Sequence, residues 1–182
     1  MILLILGVAL WSAAHLFKRL APSARAGLGD AGRGMVAVAI VASVVLMVIG
    51  YRTADGAVFW GRTPTLVAIN NVLMLLAVYL YAVSGMKTWL ASKTRHPQLN
   101  GFKTWCVAHL IVNGDVASFV LFGGLLAWAV VQMILISKAE GRAFRTDIVV
   151  VPRREVMAIV GTLIVTAVIM GIHAWLGVVP WG

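Results

Sequence analysis

Few side chains in this sequence can do chemistry, and most of them fall between Arg95 and Asp115. That stretch carries Arg95-His96-Pro97, then Lys103-Thr104-Trp105-Cys106-Val107-Ala108-His109, then Asn113-Gly114-Asp115. A further histidine, His15, lies in the apolar N-terminal segment. Ionisable groups set in apolar sequence are costly to bury, so they mark a cofactor, a substrate path or a paired structural site. Two neutral imidazoles projecting from separate helices form a natural axial pair for haem iron, and His15 and His109 are the candidates. Arg95 and Lys103, with Lys18 and Arg19, could meet propionates at the water boundary. The competing reading for His109 is a buried histidine hydrogen-bonded to a neighbouring helix. His15, nearer the interface, favours that reading when taken alone.

The remaining polar positions have plainer readings. His96, just before Pro97, belongs to the start of a helix. His173 falls toward the outer end of the last apolar run, at a depth that separates it from the other pair, so a loop or interface role is expected. Cys106 shares a helix face with His109 at i, i+3 and reads as a small packing residue. Asn113 and Gly114 form a turn that leaves Asp115 as a helix N-cap. The alternative for Asp115 is a functional coupling to Arg52 or Arg62 and to Asn70-Asn71.

The elements that must hold these residues are helices in a membrane. Hydrophobic residues make up 62% of the 182 and charged residues only 12%, with a mean hydropathy of +0.98. A soluble chain of this size carries about twice that charge. The single cysteine excludes an internal disulfide framework and the usual zinc spacings. No metalloprotease, phosphate-loop or dinucleotide fingerprint is present. Five apolar runs stand out, at about 2–17, 35–51, 66–86, 104–136 and 157–179. The fourth is too long for one span, since about 20 residues suffice to cross. Splitting it at Asn113-Gly114-Asp115 gives spans of about 2–17, 35–51, 66–86, 98–112, 116–136 and 157–177 in one transmembrane domain covering 1–182.

Charge placement tests that division. With six spans, Lys18, Arg19, Arg25, Arg33, Lys87, Lys93, Arg95, Lys103, Lys138, Arg142, Arg145, Arg153 and Arg154 fall on one side. Only Arg52 and Arg62 fall on the other. Under the positive-inside rule both termini lie on the outer, periplasmic side. The net charge of +9 is therefore topology, not a nucleic-acid footprint. Lys18-Arg19 follow the first apolar run instead of preceding it, unlike a signal peptide. Trp60, Trp175 and Trp181 suit the outer interface, and Trp89 and Trp105 the inner one. Trp11 and Trp128 lie deeper, as packing or cofactor-lining residues. Gly123-Gly124 allows close helix approach.

These features together resemble the NnrU family: an early histidine in the first helix, Arg95-His96-Pro97, Lys103-x-Trp105-x-x-Ala108-His109, Asn113-Gly114-Asp115 and Phe122-Gly123-Gly124. Members are bacterial inner-membrane proteins associated with nitric oxide and denitrification, and relatives include the zeta-carotene isomerase, which carries non-covalent haem b. The resemblance implies that His15 and His109 match its axial histidines and that His96 matches another histidine needed for function. It implies an isomerase acting on a cis bond of a polyene, with reduction releasing one histidine; the electronics belong to the cofactor. Two other classes share the features: a haem protein that senses or handles nitric oxide, and a non-enzymatic subunit of a membrane complex whose partner is another membrane protein.

Overall fold

The computed structural model describes residues 1–141 and 148–180. Arg142, Arg145 and Trp181 lie outside the described residues. The helices are Ile2–Leu20 (α1), Pro22–Gly27 (α2), Ala31–Arg52 (α3), Pro64–Met86 (α4), Trp89–Lys93 (α5) and Pro97–Val112 (α6), followed by Val116–Ser118 (α7), Gly124–Glu140 (α8) and Pro152–Trp175 (α9). A π-helical turn, Phe119–Gly123, joins α7 to α8. Five of these segments, α1, α3, α4, Val116–Glu140 and α9, are long and apolar enough to cross a membrane. The chain is an all-α membrane protein, with one two-stranded addition that the sequence reading did not anticipate.

Local chemistry sets the boundaries. Pro22, Pro64, Pro97 and Pro152 each open a helix, where the missing N–H costs nothing and the fixed φ is already helical. Thr63 caps α4 by accepting from Leu66 N at 3.2 Å. At the other end Lys87 takes a left-handed conformation (φ 54°, ψ 53°) and its N–H bonds back to Val83 O. Lys18 and Arg19 fall in the last turn of α1, where cations complement the helix dipole. Most helices therefore run a few residues past the apolar runs.

The chain divides into two compact units. Unit 1 comprises residues 1–60 and 114–135. Here α1 and α3 pack antiparallel at close range. A Cβ on Gly7 would come within 2.7 Å of Met47 Cγ and 2.8 Å of Met47 N, so only glycine permits this approach. Leu4, Ser43 and Met47 are buried in the seam. Of the two adjacent glycines on the fifth apolar segment, Gly124 packs on the Val8 side chain and Gly123 faces open space. Val58–Trp60 (β1) pairs antiparallel with Gly114–Asp115 (β2), Val58 opposite Asp115 and Trp60 opposite Gly114. Val116 N donates to Ala57 O at 3.1 Å, which satisfies a first-turn N–H of α7.

Unit 2 comprises residues 61–113 and 136–182, with α6 and α9 packed along α4. Gly101 faces Ala77, and an added Cβ would sit 2.8 Å from Ala77 O. One flank further along, Asn70 Nδ2 donates to Ala108 O at 2.8 Å. These two contacts run in opposite directions, so α6 is antiparallel to α4. Glu155 anchors the start of α9 by accepting from Trp89 N at 2.6 Å. Val83, Thr88, Cys106 and Ala108 are fully buried. Trp60, Trp89 and Trp175 are exposed.

Candidate functional site

His15 sits in unit 1, five residues before the end of α1. Its Nδ1 lies 2.9 Å from Trp11 O. A carbonyl can only accept, so Nδ1 carries the hydrogen, and in the neutral ring Nε2 keeps its lone pair. Two indoles flank the imidazole: Trp11 at 4.1 Å between ring centroids and Trp128 at 4.8 Å. Trp128 also meets Trp11 edge-on at 5.5 Å. Trp11 and Trp128, expected as packing or cofactor-lining residues, both pack on the His15 ring.

His109 sits in unit 2, in the last turn of α6. α6 runs Pro97–Val112, within a residue of the expected span of 98–112. The backbone and ring repeat the His15 arrangement. Nδ1 donates to Trp105 O at 3.0 Å, and the Trp105 ring stands 4.9 Å away. In the neutral ring Nε2 is again the acceptor nitrogen. Asn113 secures this turn twice, donating to His109 O from its backbone N at 3.0 Å and from Nδ2 at 2.8 Å. Asn113 thus closes the helix that carries the histidine.

His173, expected in a loop or interface role, is placed differently. It occupies the last turn of α9, donates from Nδ1 to Ile169 O at 2.8 Å, and lies within electrostatic reach of His109. It also lines an apolar cavity of about 450 Å³ with Trp105. Position along the apolar runs set the expected depth, and the tilt and stagger of packed helices are not written there.

His96 and Arg95 line a second cavity of about 230 Å³ at the start of α6, with Ser84, Gln98 and Ile136. His96 Nε2 hydrogen-bonds Ser137 Oγ at 3.2 Å. Burial lowers the His96 pKa and neighbouring Arg95 lowers it further, while Glu140 pulls the other way. Lys103 belongs to the second turn of α6 itself, where its long stem can reach back toward water. Arg95 and His96 are therefore brought together, and Lys103 stands two turns along the same helix.

Asp115 caps α7. Its Oδ1 accepts from Ser118 N and its Oδ2 from Ser118 Oγ, each at 2.8 Å. Tyr51 Oη lies 2.8 Å from the same Ser118 Oγ. Of its suggested functional partners in unit 2, Arg62 donates to Val179 O and Asn70 to Ala108 O. Among the described residues no group of three or more His, Cys, Asp or Glu could hold a metal ion. A porphyrin iron takes only two axial ligands from the protein, so that does not bear on it.

A family model for the NnrU protein matches residues 3–180. The chain belongs to the NnrU family. No curated protein and no solved structure matches it. In this NnrU chain the motif block from Arg95 to Gly124 falls partly in each unit, and His15, His109 and His173 all bond Nδ1 to the carbonyl one turn back. Besides His173, sequence reasoning missed the π-helical turn at Phe119–Gly123. Its only written signal is the glycine pair at its end, which packing alone also explains.

Proposed function

We propose that this protein holds haem b with His15 and His109 as its iron ligands and serves redox-gated cis-trans isomerisation of a polyene in the bacterial inner membrane. The supporting observation is a shared hydrogen bond: each ring's Nδ1 donates to the carbonyl one turn back, so Nε2 is the nitrogen a metal would take. This is the second-shell bond that orients and strengthens an imidazole ligand, so the residues fit the group. Haem would supply a reversible one-electron change and a coordination position that can open.

The chain's own part is to position and to exclude water. Trp11 and Trp128 fix the plane of the His15 ring, and Trp105 does the same for His109. Arg95 and Lys103 supply cations for the propionates, and His96, held by Ser137, stands beside Arg95. Six spans with both termini outside complete the proposal, α6 being the short fourth span. Its 16 residues cover about 24 Å, enough when it starts in the headgroup layer.

Purification in mild detergent with oxidised and reduced absorption spectra tests the reading. A Soret band with sharp reduced bands, lost or shifted in both His15→Ala and His109→Ala, is expected. Folded protein that takes up no haem when haem is supplied would refute it. Bound haem that takes up nitric oxide but never turns over a polyene would retain the cofactor and replace the isomerase with nitric oxide handling.

A further inference from the structure

The cavity among α4, α6 and α9 touches the iron reading only through Trp105, which lines it and packs on His109. Its volume of about 450 Å³ falls within the roughly 300–1,000 Å³ of small-molecule pockets. Aliphatic side chains such as Val165 and Ile169 form one side and Tyr81, Phe102 and Trp105 present three aromatic rings. His173 is the one imidazole in the wall. Its Nδ1 donates to Ile169 O, so in the neutral ring Nε2 is an acceptor.

That combination selects a ligand. An acyl chain would fill the volume but offer no donor to the half-buried His173 acceptor, which is costly where the surroundings are hydrocarbon. A flat ring stacks favourably against tyrosine, phenylalanine and tryptophan. A hydroxyl on that ring would supply the missing donor. The ligand must also reach the cavity through lipid, since Val165 on its rim is 47% exposed on a membrane-spanning helix. We propose that this cavity binds a membrane-dissolved hydroquinone, with one ring hydroxyl donating to Nε2 of His173. The site stands without the haem reading, although a hydroquinone there lies close to His109.

The test uses the full chain in phosphatidylcholine nanodiscs, with and without haem supplied. A decyl-substituted hydroquinone and its dimethyl ether are titrated, reading Trp105 emission as the difference between wild type and Trp105→Phe. Saturable binding of the hydroquinone, about tenfold tighter than the ether, is expected for one buried hydrogen bond. His173→Leu should abolish that preference and Val165→Trp should block both ligands. His173→Gln, which keeps an acceptor, should retain part of the preference and covers the case in which the leucine variant does not fold. Equal affinity for hydroquinone and ether, a preference that survives His173→Leu, or signal that only rises with partitioning into lipid would each overturn the proposal.

Discussion

At Asp115 a single carboxylate does two jobs. Both oxygens bond Ser118, one to its backbone N–H and one to its hydroxyl. Having spent its hydrogen on Asp115, the Ser118 hydroxyl must accept from Tyr51, so the chain of donors runs Tyr51 to Ser118 to Asp115. Ser118 is fully buried, and removing the carboxylate leaves its hydroxyl without an acceptor. Asp115→Ala should therefore cost about 1–2 kcal/mol, the upper part of the cap range, and Asp115→Asn clearly less. Thermal unfolding in detergent measures both; an intact fold with a lost haem spectrum would show a cofactor role instead. His96 yields a pH prediction. Burial and Arg95 hold its folded pKa below the unfolded value of about 6.5. Its contribution is complete above that value and is lost as pH falls from about 6.5 through the folded pKa, because the unfolded chain binds the proton more readily. His96→Gln should flatten stability against pH in that window, and an unchanged slope would refute the assignment. The Asp115 cap was legible because an Asn-Gly-Asp turn is local chemistry. The place of His173 was not, because it depends on the stagger of three helices.

Elements here are set by close approach as much as by hydropathy. In unit 1, Gly7 meets backbone and side chain of Met47, whereas Gly123 meets nothing within 4 Å. The two glycines therefore predict opposite outcomes. Gly7→Ala should force α1 from α3 and cost about 1–3 kcal/mol. Gly123→Ala should be neutral or stabilising by up to about 1 kcal/mol, from helix propensity alone. Matched unfolding curves decide, and similar losses in both would refute the packing argument. Helix positions were readable from apolar runs, caps and prolines. The β1–β2 pair was not, since Val58–Trp60 finds its partner more than fifty residues away and Gly114 fits beneath the Trp60 ring only in three dimensions. The π-helical turn was hidden for a similar reason. It depends on one extra residue being accommodated between the capped start at Asp115 and the packed segment from Gly124.

The whole molecule poses one question that its helices leave to charge: does α6 cross? Five segments qualify as spans by length and composition, and α6 falls short at 16 residues. Charge placement argues for the crossing where length does not. If α6 crosses, thirteen of fifteen lysines and arginines share one side. If it does not, Val116–Glu140 starts on the inner side, and Lys138, Arg142, Arg145, Arg153 and Arg154 move outside against the positive-inside preference. Val149 separates the two cases, because it precedes α9 and is 76% exposed. In a Cys106→Ala background, freeing the chain of its one native thiol, Val149→Cys should react with a membrane-impermeant maleimide only in inverted vesicles. Asp55→Cys, in the segment between α3 and β1, should react only in right-side-out vesicles. Reaction of Val149→Cys from outside, with Asp55→Cys unchanged, would leave five spans and put the C-terminus inside. The five basic residues from Lys138 to Arg154 would then lie outside and need a reason other than topology.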